Sequence, residues 1–545
     1  MVSIKSQAVA APSMEKANVV TGHEPSTVAT QDDSHTRVAL PSLEYRKLMW
    51  KLDVHLLPPL FVLWFVSLID RLNMGSAKIF GIEKDLHMDP RGTDFNVALI
   101  TTMVGLILFD VPSNYLLKKM RPSLVLTAEN LLLGILTVGQ GLVTNFTGLA
   151  SLRFFVGALE AGLIPGSVYL LAQYYPRYEL QWRVSMLMVS NALSTAFGGL
   201  LGFSIAAITS DNGYSPWRWL FIIEGCITAG VTILAFPFLP NWPSATKWLT
   251  PQEKQAIADE IRHQGVIGRM DKLDWKTARR VLFDWKVWIC GAMYCCTTVT
   301  VYSVAIFAPT IINQFQEGQS PREVQALVIP IFSSALVACL AAAYASDKLK
   351  HRSGFALFGY CLAITGSVIL MDQAWYNVHV KYAALFFMAT GVYVSLPMVW
   401  TMLVNNVSGA YKIGFAVGLE VSLGNFGGIA SALVFQGSQA PAYADGYKTL
   451  TVMSCVAASL VIFYSSLLYL ENRARDAGKR DHRLSDDDVD NLGDEHPSFR
   501  YRIPDPVPDM EKLAEITPSL RLQVAQTCIV ADYRTLYNVL AILPD

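Results

Sequence analysis

Apolar residues in this chain gather into twelve continuous runs separated by short polar loops. The runs lack the strict alternation of a half-buried strand and the one-sided stripe of a soluble helix. A hydrocarbon core about 30 Å thick is crossed by roughly 20 helical residues. Inside lipid, only helices or closed barrels satisfy every backbone N–H and C=O. The runs therefore predict transmembrane helices over 55–77, 96–116, 124–143, 149–171, 184–208 and 220–239, then 287–312, 324–345, 355–371, 382–403, 413–435 and 450–470. The ninth, over 355–371, is short for a full crossing. The fold class expected is an all-α membrane protein with twelve transmembrane helices in two six-helix halves.

The long polar loop after the sixth run sets the organisation. Residues 1–50 form an N-terminal tail, 51–240 the first half, 241–284 a middle loop, 285–472 the second half and 473–545 a C-terminal tail. The first tail is rich in Ser, Thr, Ala and Val and has no apolar core of a signal peptide, so a disordered cytosolic segment with no removable leader is expected. In the middle loop, Thr250-Pro251-Gln252-Glu253 fits an N-cap, a Pro at the first helical position and a capping-box Glu. Ala256, Ile257 and Ile261 then supply an apolar stripe for a short strut on the cytosolic face. The halves also correspond: the second run ends in Leu117-Lys118-Lys119-Met120-Arg121 and the eighth in Asp347-Lys348-Leu349-Lys350-His351-Arg352. A duplicated carrier with its site at the midplane between halves is the expectation. Lys118, Lys119, Arg121, Asp347 and Arg352 are then candidate gating residues, able to form charge pairs between helices at equivalent turns.

Charge placement orients the chain. Arg46, Lys47 and Lys51 precede the first run, Arg177 and Arg183 follow the fourth, and Arg473, Arg475, Lys479 and Arg480 follow the twelfth. Loops on the other side are poor in basic residues, so both termini are expected in the cytosol, with the plasma membrane as the site. Composition agrees, at 52% hydrophobic, 16% charged and a mean hydropathy of +0.35. The net charge of −1 says nothing about partners. Of the eight cysteines, seven lie in apolar runs and Cys528 in the tail; they read as reduced packing residues without metal spacing. No nucleophile–base set or metal cluster suggests an enzyme. No cofactor, metal or nucleic-acid partner is expected, and a monomer in the bilayer is.

The informative residues are charges inside apolar runs, where insertion costs about 2.5–3.5 kcal/mol each. Asp70, Arg71 and Asn73 lie in the first run, Asp110 in the second, Glu129 in the third, Arg153 and Glu160 in the fourth, Glu224 in the sixth, and Glu420 and Asn425 in the eleventh. A guanidinium that never loses its proton can anchor an anion; a buried carboxylate can carry a proton. Arg71, Asn73, Arg153 and Asn425 are therefore candidate substrate contacts, and Asp70, Glu160 and Glu224 candidate proton carriers. The structural alternative is that Asp70–Arg71 or Arg153–Glu160 are static pairs holding the bundle. Tyr294, Tyr302, Tyr393 and Trp400 could stack on a substrate ring, but residues of this kind more often serve as core or interfacial anchors.

Several stretches carry a family resemblance. They include Asp70-Arg71-Leu72-Asn73-Met74-Gly75, Pro112-Ser113-Asn114 and the run Arg153 to Gly162 with Pro165-Gly166. Tyr174-Tyr175-Pro176-Arg177-Tyr178-Glu179, Trp217 to Gly225 and Phe307-Ala308-Pro309-Thr310-Ile311-Ile312 extend it, and the tail adds His496-Pro497-Ser498-Phe499-Arg500-Tyr501. On these the chain resembles the major facilitator superfamily and, within it, the fungal anion:cation symporters of the allantoate permease-like branch. The resemblance implies an alternating-access carrier of the major facilitator fold, driven by protons and moving a small organic anion such as a carboxylate nutrient or vitamin-like acid. The turn after the second run departs from the superfamily's Gly and Asp pattern, and residues beyond Arg502 match nothing in the family. Two other functions remain open from sequence: efflux of a secondary metabolite or drug, and a non-transporting nutrient sensor.

Overall fold

The computed structural model describes residues 42–501, apart from 90–92, 176, 209–213, 265–274, 316–318, 350, 373–375, 409, 437–438, 440–441, 486–492 and 498. Residues 1–41 of the expected N-terminal tail and the end of the C-terminal tail lie outside the described residues; the rest of the N-terminal tail, 42–50, expected as disordered, is helical and runs on into span one. Among the described residues, twelve helices are long and apolar enough to cross a membrane. Spans one to six are Glu44–Ile79, Thr93–Asp110, Pro122–Leu142, Phe146–Ala172, Met186–Ile205 and Pro216–Phe238. Spans seven to twelve are Trp285–Phe315, Pro321–Ser346, Arg352–Met371, Val378–Asn406, Lys412–Val434 and Ala444–Asp476. The ninth does reach membrane length, because the helix begins at Arg352, capped by the His351 ring accepting from the Gly354 N–H.

Packing repeats between the halves. Spans one and five, two and four, and three and six pair in the first half; seven and eleven, eight and ten, and nine and twelve pair in the second. The halves meet chiefly through spans five and eight and through spans two and eleven. Close approach of spans one and seven needs Gly75, where a Cβ would run into the Ile306 carbonyl. Towards the end that bears the termini, Tyr169 of span four lies against Gly414 of span eleven. The two contacts lie on opposite sides of the polar centre, so the halves touch both above and below it.

Two of the helices that meet at this centre are interrupted there. Span one is helical over Ser42–Leu72 and again over Met74–Ile79, with Asn73 between. Span four runs Phe146–Glu160 and resumes at Leu163–Ala172. Pro165 supplies no N–H to the Ala161 carbonyl, which loosens the helix at that point.

Each half is also tied at its terminus-bearing end. In the first half, Asp53 accepts from Arg183 Nε at 2.6 Å and Nη2 at 2.9 Å, and from the Tyr175 hydroxyl at 2.9 Å. The helix Pro251–Gln264 carries the capping box its sequence predicts, with the Thr250 N–H donating to Glu253 and the Glu253 N–H donating to Thr250. Glu253 also receives Lys51 at 2.9 Å, and Trp248 stacks on His55, so the middle loop grips span one.

Candidate functional site

Arg71 holds the centre. Its Nε and Nη2 both donate to Glu160 Oε2, at 2.9 and 2.7 Å, and the other oxygen of Glu160 accepts from Ser67 at 3.2 Å. Arg71 Nη1 crosses between the halves to the Tyr302 hydroxyl of span seven at 2.7 Å. Both static pairs considered from sequence, Asp70–Arg71 and Arg153–Glu160, join residues on one helix. The actual pair joins two helices, and places Arg71 and Glu160 at the interruptions of spans one and four.

Arg153, Asp70 and Glu224 are held differently. All three are buried. Arg153 leans over the Phe221 ring at 5.2 Å and reaches the Asp70 carbonyl at 3.4 Å, while its Nε and Nη2 have no hydrogen-bond partner among the described residues. The Asp70 carboxylate has no partner at hydrogen-bond distance among the described residues, with Arg153 as its leading charged neighbour and the Thr137 and Gln140 side chains beside it. Glu224 accepts from Asn73 Nδ2 at 2.8 Å on one oxygen, and its other oxygen has no partner among the described residues. A salt bridge of Arg71 with Glu160 thus sits beside a guanidinium and two carboxylates that retain unused hydrogen-bonding capacity.

Across the interface, Tyr393 shares a hydrogen bond with Thr195 at 2.7 Å, and Trp400 lies 6.2 Å from Trp64. These pairs tie the halves together, so Tyr393 and Trp400 act at least as inter-half contacts. Asn425 is buried on span eleven with Nδ2 unpartnered, but no hydrogen bond joins it to the Arg71 cluster among the described residues. Asp110 accepts from Ser422 of span eleven and from Asn114, and Glu129 accepts from Ser113. Of the candidate gating residues, Lys119 covers the Tyr115 ring at 4.6 Å, Arg121 is exposed and Arg352 is buried. The side chains of Lys118 and Asp347 lie outside the described residues.

Sequence reasoning missed a second ionic cluster, at the terminus-bearing end of the second half. Asp494 is fully buried between Lys286 of span seven and Lys412 of span eleven, the latter at 2.7 Å. Asp284 pairs with both lysines, at 3.3 and 3.0 Å. The Tyr501 hydroxyl accepts from Lys286 and Arg475 and donates to the Asp494 carbonyl, and Asn472 pairs with the Tyr501 backbone. Burial opposes ionisation of Asp494, but the two ammonium groups outweigh it and hold its carboxyl well below the usual carboxylate range. Residues 493–497 and 499–501, expected as part of a tail, are thus a clasp across spans seven, eleven and twelve. Lys286 and Lys412, at the mouths of apolar runs, were the available signal; nothing local in the tail marks Asp494 as their partner.

A family model described as Major Facilitator Superfamily matches residues 60–432. The chain belongs to the Major Facilitator Superfamily. It is 31% identical to an MFS-type transporter, efuF, of Hormonema carpetanum, over 78% of this chain and 86% of that one. It is 26% identical to the high-affinity nicotinic acid transporter of Saccharomyces cerevisiae, over 89% of this chain and 90% of that one. Among solved structures, a proton:xylose symporter superposes with a TM-score of 0.58 at 16% identity, covering 74% of this chain and 94% of the other. That likeness is one of fold. The protein is a multi-pass membrane transporter of the superfamily, with a small molecule as its substrate.

Proposed function

We propose that this transporter takes up a small organic anion, a carboxylate nutrient or vitamin-like acid, together with protons, as a member of the allantoate permease-like branch. The observation that carries this reading is the division of labour in the central cluster. Asp70, Glu160 and Glu224 set three carboxylates against the two guanidiniums of Arg71 and Arg153. Arg71 and Glu160 satisfy each other. Arg153, permanently charged, keeps two nitrogens available for a substrate carboxylate, while Asp70 and Glu224 compete for it. A proton on Glu224 removes one competitor and admits the anion; its release restores the competitor and expels the anion. Glu160 belongs to the scaffold in this scheme, and Asp70 assists Glu224.

The nicotinic acid transporter among the relatives supports a carboxylate substrate. The excess of basic residues on one face supports cytosolic termini and a cytosolic middle loop over 241–284; uptake of a nutrient places the carrier in the plasma membrane. The carrier works as a monomer of two six-helix halves, 51–240 and 285–472, with Lys118, Lys119, Arg121, Asp347 and Arg352 at turns that part when the cytosolic side opens. Asn73 and Asn425 supply amides from opposite halves to the bound anion.

Arg153→Lys in purified protein reconstituted in liposomes tests the anchor, with radiolabelled nicotinate as probe. Loss of one charge-assisted bond of the planar fork, worth about 1.5–3 kcal/mol, raises the half-saturating concentration roughly 10- to 100-fold. An unchanged half-saturating concentration overturns the assignment of Arg153.

A further inference from the structure

Span eleven carries a charge that its own half does not answer. Glu420 is fully buried, and neither carboxylate oxygen has a hydrogen-bond partner among the described residues. One turn along, Gly424 has no room for a Cβ because the Tyr294 ring lies against it. Tyr294 is within electrostatic reach of Glu420, Tyr302 and Arg71.

The groups around it cannot neutralise it. Span seven presents Cys290 and Tyr294, neither of them a cation. Two residues along span eleven, Ser422 engages Asp110 of span two, itself a carboxylate that also accepts from Asn114. The nearest cations are committed elsewhere. Lys412, two turns back on the same helix, belongs to Asp494 and Asp284; Arg71 belongs to Glu160 and Tyr302. Ionised, Glu420 is a bare charge in a medium that charges it several kcal/mol; one proton removes that cost.

We infer that Glu420 is a second proton-carrying site, in the C-terminal half, so that each transport cycle moves two protons. This rests on the proton-coupled reading above. The Ser422–Asp110 contact between spans eleven and two breaks when the halves part at the terminus-bearing end. Water then reaches Glu420, its O–H bond breaks, and the proton leaves to water with the carboxylate remaining. Exposure to the opposite side reloads it.

The test needs no substrate. Intact wild-type protein in detergent is treated with dicyclohexylcarbodiimide across a pH series, and adducts are located by peptide mass spectrometry, since this reagent attacks protonated carboxyls in apolar surroundings. An adduct on Glu420 that declines as pH rises is the expected result; no adduct, or one independent of pH, overturns the inference. Infrared pH-difference spectra of Glu420→Gln and Glu224→Gln give the second readout. Each variant is expected to lose one component of the protonated-carboxyl band. Loss in Glu224→Gln alone overturns the second site and leaves single-proton coupling standing, whereas loss in neither overturns the proton-coupled reading as well.

Discussion

Removing one hydroxyl isolates the contact that closes the centre. In Tyr302→Phe the ring stays, with the Arg71 guanidinium 5.9 Å from its centroid, and only the 2.7 Å bond from Arg71 Nη1 is lost. The remaining bonds of Arg71 run to Glu160 within the first half, so the substitution acts between halves. A hydrogen bond to a charged group contributes about 1.5–3 kcal/mol. In any state where spans one and seven separate, water replaces it, so the loss falls on the closed state alone. The closed-to-open ratio then falls roughly 10- to 100-fold. Electron–electron double resonance reads this in a background without native thiols. One spin-label pair sits at Met120 and Leu349 on the terminus-bearing end, another at Tyr214 and Tyr376 on the opposite end, all exposed positions. A longer-distance population should grow at one end. Tyr393→Phe, which deletes a neutral pair with Thr195 worth about 0.5–1.5 kcal/mol, should shift the distances less. Unchanged distributions in Tyr302→Phe at both ends would refute the reasoning.

Glu160→Gln leaves Arg71 buried without its carboxylate, a loss of about 3–5 kcal/mol, so its melting temperature in detergent should fall while that of Glu224→Gln stays near wild type. Asp494→Asn leaves Lys286 and Lys412 to share the Asp284 carboxylate and should also lower the melting temperature, whereas truncation after Tyr501 leaves the clasp and the melting temperature intact. Because the Asp494 carboxyl is held below its ordinary range, its ionised form contributes stability above that range and loses it only as pH falls through the lowered value. Limited proteolysis between spans twelve and the clasp should therefore stay slow in mildly acidic buffer and accelerate only in strong acid. Gly75→Ala drives a methyl into the Ile306 carbonyl of span seven, and surface-expressed protein should lose transport through roughly 1–3 kcal/mol of overpacking against the closed state.

The spans were legible because crossing a bilayer imposes a length and an apolarity that each run must meet alone. The capping box at Thr250 was legible for the same reason, since its partners lie three residues apart. Partner choice in the centre was not. Sequence proximity suggests Asp70 for Arg71 and Glu160 for Arg153, but adjacent residues on a helix point apart, residues seven apart stand two turns, roughly 10 Å, from each other along the axis, and only the crossing of spans one and four sets Arg71 against Glu160. The sequence offered Glu160 as a proton carrier or as the partner of Arg153; the fold pairs it with Arg71 instead, while Glu224 has no ion pair among the described residues. Tyr302 was one aromatic among several until span seven placed its hydroxyl on Arg71. The clasp was least legible, since Lys286 and Asp494 stand 208 residues apart.

Accumulation of radiolabelled nicotinate by reconstituted wild-type protein and Glu224→Gln, under an imposed pH gradient with the acid side outside, tests the central claim most directly. Each coupled proton supports about tenfold accumulation per pH unit. Wild type should accumulate the anion and lose it when a protonophore is added. Glu224→Gln, which keeps the acceptor for Asn73, should still exchange nicotinate but accumulate it about tenfold less per pH unit. Equal accumulation by the two proteins, or wild-type uptake indifferent to the gradient, would contradict a proton carried on Glu224.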